Sequence, residues 1–393
     1  MRRWGMLGLG VNAHTSVTLG LFGLPLVMPD IQRDFQVSLP VAAVIGNAPG
    51  IGILFALVAW GVLADRRGER VVLGAGVGLA SVFLAAAAFA QAAWAVVALL
   101  ALAGAAGSAA MVGGGRIVLR WFDPPERGVA MGLRQVSYTL GMAVAGFLLP
   151  AVSSAYGLSG VLLVCSGFCL VAAVLAGLLL AEPPRELSAA SAPQAASPYR
   201  KSVLWRVHGT SALHVVPQIA VSTYGVACLV GTYGWDTVHA GQLFGAAAIG
   251  GAVVRIAVGR WSDRTGLRMA PLRILTVTTA AVLALLVGAQ AAAGAAAIAW
   301  AGPVTLALAA VLTVAGNGLA YLAAGELAGP GWAGRVLGTH NGIQNVVALV
   351  AAPLLGVLIA HAGFWAGFGV GLVLCLASLP VIPVGSERGR GAP

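Results

Sequence analysis

What this chain can fold into is limited first by its apolar runs, each long enough to cross a bilayer and parted from the next by a short polar gap. A spanning helix needs roughly 20 consecutive apolar residues. The 393-residue sequence offers such stretches near 6–28, 39–61, 71–91, 94–120, 128–152 and 157–181, and again near 204–231, 238–260, 270–290, 300–325, 335–360 and 363–384. The ninth and tenth are the hardest to separate, because the Ala-rich sequence from 280 to 301 holds little punctuation. Between the sixth and seventh, the stretch from Glu182 to Lys201 is rich in Pro, Ser and Ala with no apolar period, which reads as a linker. The expected fold class is an all-α membrane protein of twelve transmembrane helices in two pseudo-symmetric six-helix bundles. Residues 1–181 form the N-terminal bundle, 182–203 a cytoplasmic linker, and 204–393 the C-terminal bundle with a short cytoplasmic tail.

Composition reaches the same class independently. With 59% hydrophobic residues, 9% charged residues and a mean hydropathy of +0.94, the chain is far too apolar for an ordinary soluble domain. A net charge of +10 raises nucleic acid as a partner, and the placement of the charge decides against it. Basic residues gather at Arg2–Arg3, Arg66–Arg70, Arg116–Arg127, Arg185–Arg206, Arg260–Arg273, Arg335 and Arg388–Arg390, while the alternate gaps carry almost none beyond Arg33. Such alternation is the positive-inside pattern. It predicts a multi-pass protein of the cell (inner) membrane, surrounded by lipid, with both termini cytoplasmic. The first apolar run is too long for a signal peptide and lacks a cleavage site. Cys165, Cys169, Cys228 and Cys375 all lie inside apolar runs, so they read as packing or lipid-facing residues. Neither a metal framework nor a cofactor is expected.

One polar pattern occurs twice. Gly61, Asp65, Arg66, Gly68 and Arg70 fit Gly-x-x-x-Asp-Arg-x-Gly-x-Arg, and so do Gly259, Asp263, Arg264, Gly266 and Arg268. Each copy reads as a charged turn between two spans. The first glycine lets helices approach, the second permits a tight turn, and the arginines stay in water. An Asp so placed can pair with the positive end of a neighbouring helix. The duplicated pattern resembles the major facilitator superfamily of secondary transporters, over nearly the whole chain. That resemblance implies a loop between helices 2 and 3, and again between 8 and 9, that helps hold one face of the carrier closed. The sequence departs from the family where Glu69 and Leu267 replace a usual basic residue, so its charge latch is expected to be weaker or differently paired.

Candidate substrate residues come from polar positions inside the apolar runs. Arg255 lies four residues before Gly259; an arginine within a span costs about 2.5–3.5 kcal/mol on insertion scales and generally has a partner. No Asp or Glu lies within the central runs to neutralise it, and a guanidinium can grip a carboxylate with two hydrogen bonds. Nitrate and monocarboxylate carriers of the superfamily are similar to this chain in having a helix 8 arginine that contacts the anion. The nitrate carriers add a second arginine on helix 2, where this chain is apolar near Leu57; the resemblance therefore implies a carboxylate. The alternative is that Arg255 braces the nearby loop or snorkels.

Aligning Met131–Gln135 with Leu337–Asn341 makes Arg134 and His340 equivalent under a pseudo-twofold axis. Tyr138 and Gln344 continue their faces at i+4. These residues either face a central cavity or, on the other reading, Arg134 snorkels and His340 is a packed polar group. Ser211, His214, Gln218 and Ser222 share a face of helix 7, Asn317 and Tyr321 one of helix 10, and His14 one of helix 1. The resemblance implies that helices 1, 4, 7 and 10 line the cavity. The substrate set is thus Arg255, Gln218, Asn317, Arg134, His340, Tyr138, Tyr321 and Gln344. His14 and His214 are candidates for proton coupling, against the plainer reading of hydrogen-bonded structural histidines.

Two function classes compete. A secondary carrier exposes a midplane site to each side in turn; a receptor or enzyme on the same scaffold would need a soluble domain or a nucleophile or metal constellation, neither of which the sequence supplies. The expectation is a monomeric alternating-access transporter, not an enzyme, moving a small organic (carboxylate) anion. A multidrug or metabolite exporter of the same superfamily is the alternative.

Overall fold

The computed structural model describes residues 2–37, 39–181, 197–291, 300–329 and 331–387, and every regular element among them is helical. Fourteen α-helices follow in order: α1 (Arg2–Phe22), α2 (Met28–Phe35), α3 (Leu39–Arg67), α4 (Glu69–Ala88), α5 (Ala93–Gly107), α6 (Ala109–Trp121), α7 (Arg127–Leu179), α8 (Ser202–Tyr233), α9 (Thr237–Thr265), α10 (Met269–Ala291), α11 (Ala301–Ala315), α12 (Asn317–Ala328), α13 (Ala333–Ala362) and α14 (Phe364–Ser378). An all-helical answer is what lipid demands, since a spanning helix satisfies its own backbone where water cannot.

Nine described segments are long and apolar enough to cross a membrane. One of them, Pro124–Leu179, has 56 residues, enough for two passes at roughly 20 residues each. Within it Gly157 adopts φ 64° and ψ −167°, a backbone that L-residues avoid. Asp34 Oδ2 accepts the Leu158 N–H at 3.0 Å just beyond that break. With α1 and the shorter apolar α14, twelve spans are accounted for. The fourth and tenth each run through a one-residue irregularity, Ser108 between α5 and α6 and Gly316 between α11 and α12, where the backbone stays in the right-handed helical region.

The motif stretches differ from the expected charged turns. α3 continues as helix through Asp65 to Arg67, and α9 through Asp263 to Thr265. Only Gly68 (φ 82°) and Gly266 (φ 67°) carry the reversal. The reason is electrostatic as well as steric: arginines in a last helical turn complement its negative end. The helix therefore extends past the apolar run that defined it. The first span also differs, running from Arg2 to Phe22 and then into a 3-10 turn at Leu24–Val27. Linker residues 182–196, the Ala-rich 292–299 and the basic tail 388–393 lie outside the described residues.

The chain divides into two compact units. One comprises Met1–Asp123, Leu133–Ser197 and Ala328–Gly342; the other comprises Pro124–Gly132, Pro198–Leu327 and Ile343–Pro393. In the first unit α3 and α4 pack on α5 around Leu73, Leu84, Leu100 and Leu149. In the second, α14 packs on α8 and α10, and α11 on α9, around Leu229, Leu283, Leu306 and Phe368. All four cysteines are free and buried, so they serve packing. Large apolar side chains such as Phe55, Phe147, Ile249 and Leu354 are turned outward, as a lipid-facing surface requires.

Candidate functional site

The duplicated motif builds two matching joints. In the first unit, Asp65 near the end of α3 reaches the start of α13, where Gly334 N–H donates to Oδ1 at 2.8 Å and Arg335 N–H to Oδ2 at 3.1 Å. In the second unit, Asp263 near the end of α9 does the same at the start of α7. There Gly128 N–H donates to Oδ1 at 2.8 Å and Val129 N–H to Oδ2 at 2.9 Å. Each aspartate therefore caps a helix whose first amide groups have no partner of their own. Glycines make the approach possible. A Cβ on Gly61 would stand 2.4 Å from the Gly334 carbonyl oxygen, and one on Gly259 would stand 2.1 Å from that of Gly128. One turn further on, Gly338 meets the Leu57 backbone and Gly132 meets that of Arg255.

Around these like caps the ionic groups are arranged differently. At the first joint Arg116 of α6 bonds Asp65 and, at 2.8 Å, Glu69; Arg120 also bonds Glu69, and Arg335 approaches Asp65 at 3.6 Å. Glu69, the residue that replaces a usual base, is thus a buried member of the latch, so the latch is differently paired. At the second joint Arg268 donates to Asp263 at 2.7 Å, to Ser262 Oγ at 2.8 Å and to the Pro124 carbonyl at 2.9 Å. Glu326 lies 3.4 Å from Arg268 and 3.5 Å from Arg127. The matching Arg70 instead donates to the Gly177 carbonyl at 2.6 Å from an exposed position. Arg66 and Arg264 are exposed.

Sequence reasoning had not assigned Arg116, Arg120, Arg127 or Glu326 to the joints. A usable signal existed for the first pair: two arginines at i and i+4 share one face of a helix, opposite a carboxylate at an unusual motif position.

The interior candidates fall into three groups. Near the α11–α12 junction of the tenth span, Arg255 Nε donates to the Val314 carbonyl at 3.2 Å, and Asn317 Nδ2 donates to Gln218 Oε1 at 2.9 Å. Arg255 also lines a narrow cavity of about 10 Å³, room for roughly one water molecule, with Gly128, Gly132, Val258 and Leu319. Arg255 and Gln218 thus each bond the stretch 314–317 of the tenth span, one at the Val314 carbonyl and the other at the Asn317 side chain.

The second group is in the first unit. Arg134 is buried beside Gly114, with Nη2 bonded to Gln135 at 3.1 Å, so it does not snorkel. His340 is likewise buried. Tyr138 is half-exposed and meets Phe22 edge-on at 5.6 Å.

The third group pins helices together. Gln344 of α13 donates to Ser211 of α8. His214 contacts Ser378 at 2.9 Å and Thr276 at 3.2 Å, and Tyr321 is fully buried. His14 bonds Ser137 at 2.6 Å while Ser137 gives its own proton to the Arg134 carbonyl, so His14 must be the donor through Nδ1. Ser378 and Thr276 similarly donate to backbone carbonyls, which makes His214 Nε2 a donor to both.

A fold of twelve helical spans with a helix-capping motif once in each half defines a membrane transporter built from two related sets of six helices. The family model of the Major Facilitator Superfamily matches residues 12–352, and the chain belongs to that family. It is 36% identical to an uncharacterized MFS-type transporter of Mycobacterium tuberculosis over 97% of this chain and 85% of that one. A chloroplastic protein of Arabidopsis thaliana, named "Probable anion transporter 4", is 37% identical over 111 residues, which is 28% of this chain and 21% of that protein.

Among solved structures, a bacterial homologue of the iron transporter ferroportin in an outward-facing state superposes with a TM-score of 0.78 at 17% identity, covering 99% of this chain and 100% of that one. The human organic anion transporter gives 0.75 at 15% identity, covering 97% and 99%. These likenesses establish the fold.

Proposed function

We propose that this transporter moves a small organic anion, in the first place a monocarboxylate, by alternating access, with Arg255 as the charged anchor. The observation that carries the reading is that Arg255 bonds the Val314 carbonyl and Gln218 pairs with Asn317, three residues further along the same span. A guanidinium offers planar, paired donors that match a carboxylate, and the Asn317–Gln218 amide pair offers neutral donors and acceptors on the same span whose backbone Arg255 contacts. The carboxylates fit this reading too. Among the described residues every Asp and Glu stands at or beyond a helix end, so a desolvated cation would lack a counter-charge within a span. The partial match to a plant protein named for anion transport points the same way.

The joints supply the gate. Asp65 and Asp263 fasten helix starts from the opposite half of the sequence, and losing those bonds frees α13 and α7 to move for the alternate state. The whole reading is tested with purified protein in proteoliposomes. Lactate- or pyruvate-type monocarboxylates are expected to raise the melting temperature by mass action and to accumulate against their gradient in exchange or with protons. An amphiphilic cation that stabilises the protein while every organic anion fails would replace this reading with that of a drug exporter.

A further inference from the structure

The segment that follows α14 is fastened at both ends. Arg206, in the first turns of α8, donates through Nε to the Val381 carbonyl at 3.0 Å and through Nη2 to those of Pro380 at 2.9 Å and Ile382 at 3.5 Å. At the far end of the segment, Glu387 Oε1 accepts the backbone N–H groups of Arg268 at 2.7 Å and Met269 at 2.9 Å, and Oε2 accepts that of Ala270 at 3.2 Å. Those three amides are among the donors that the start of α10 leaves without intrahelical partners. A carboxylate there is the strong form of a helix cap. Arg268, whose own side chain is a cation, cannot supply one.

The residue held by this cap is the one that holds the second joint. The Arg268 backbone is tied to Glu387, while its guanidinium is spread over Asp263, Ser262, Glu326 and the Pro124 carbonyl. Any drift of the α10 start moves the guanidinium off Asp263. We propose that residues 379–387 form a strap, and that Glu387 is a positioning residue that stabilises the capped state of the second joint through Arg268. The first joint is built otherwise: there Asp65 is held by the side chain of Arg116, from the helix body of α6. The strap thus biases one joint alone.

This inference rests on the gating role of Asp263 proposed above, and the experiment separates the two. Val258 lines the pocket beside Gly128 and Gly259 and is buried. A Val258→Cys reporter, in full-length protein whose four native cysteines are replaced by alanine, is reconstituted and labelled with a maleimide. Asp263→Asn is expected to raise the labelling rate, because it opens the joint.

Glu387→Ala should raise the rate roughly fivefold, the population change that loss of a helix cap brings, and Glu387→Gln should fall between. Added to Asp263→Asn, Glu387→Ala should give no further increase, since both act on one joint. If Glu387→Ala lowers the melting temperature but leaves labelling at the parental rate, the strap is only structural and the proposal fails. If Asp263→Asn itself leaves labelling unchanged, the gate reading fails and carries the strap's role down with it. Additive effects of the two substitutions would show that Glu387 acts elsewhere.

Discussion

Arg255 and Leu57 stand at matching positions, one turn from the glycine contact of their respective joints, facing Gly132 and Gly338. Leu57 is fully buried among Ile53, Val72 and Met111, while Arg255 bonds the Val314 carbonyl of the tenth span. At this matched position one unit therefore carries an apolar side chain and the other a charged one. Arg255→Lys keeps the charge but loses the planar fork, so anion affinity should fall about tenfold. Arg255→Gln removes the charge as well and should abolish anion binding, a loss of about 1.5–3 kcal/mol per charged hydrogen bond. Calorimetric titration of folded variants reads both; unchanged affinity in Arg255→Gln would remove the anchor from the site. A second residue-scale expectation concerns Arg116, whose guanidinium is the shared partner of Asp65 and Glu69 with little solvent access. Arg116→Met takes the bridging cation from two buried carboxylates, leaving Glu69 to Arg120 and Asp65 to Arg335 and its helix cap, and should destabilise the protein by about 3 kcal/mol. Arg116→Met combined with Glu69→Met should recover part of that loss, as melting in a fixed detergent would show.

At the scale of elements, the joints work because a helix start and a helix end meet with no side chain between them. Gly128 and Gly259 leave room for direct backbone contact, and the Asp263 carboxylate then reaches two amides within 2.9 Å. Two kinds of substitution separate packing from charge. Gly259→Ala inserts a methyl against the Gly128 carbonyl and should disfavour the seated arrangement by about 1–3 kcal/mol. Asp263→Asn and Asp65→Asn keep the shape but lose the ionic part of the cap, about 1–2 kcal/mol. Both aspartate variants should slow transport while leaving substrate affinity nearly intact, because neither touches the polar group around Gly316. Loss of binding with unchanged labelling of the joints would contradict a gating role.

The same elements show what a sequence can and cannot disclose. The duplicated Gly-x-x-x-Asp pattern pointed to the caps, since spacing on a helix is local information. The partners could not be read, because Asp65 and Gly334 are 269 residues apart and no local rule fixes which helix start a carboxylate will face. Helix limits were misjudged where apolarity ended before the helix did, at Asp65–Arg67 and Asp263–Thr265. The polar stripe on α8 was legible as a stripe but not as to partner. Ser211 turns to α13, Gln218 to the α11–α12 junction and His214 to α10 and α14.

Across the whole molecule, the distribution of charge sets the orientation in the membrane. Both joints carry arginines at the ends of their helices, and the gaps that hold them alternate with gaps almost free of base. Lys and Arg in short loops stay on the cytoplasmic side during insertion, and a net charge of +10 gives that rule a strong bias to act on. The joints, the 182–203 linker and both termini should then share the cytoplasmic side, while the Asp236–His239 gap between α8 and α9 faces out. Cysteine labelling in intact cells tests this with little background, because all four native cysteines are buried. Ser191→Cys should resist an impermeant thiol reagent until the cells are permeabilised, and His239→Cys, at an exposed position, should react at once. The reverse result would invert the protein. It would place the Asp65 and Asp263 joints at the outer face, so that the gate they supply would act on the outer side of the anion site and not on the cytoplasmic side.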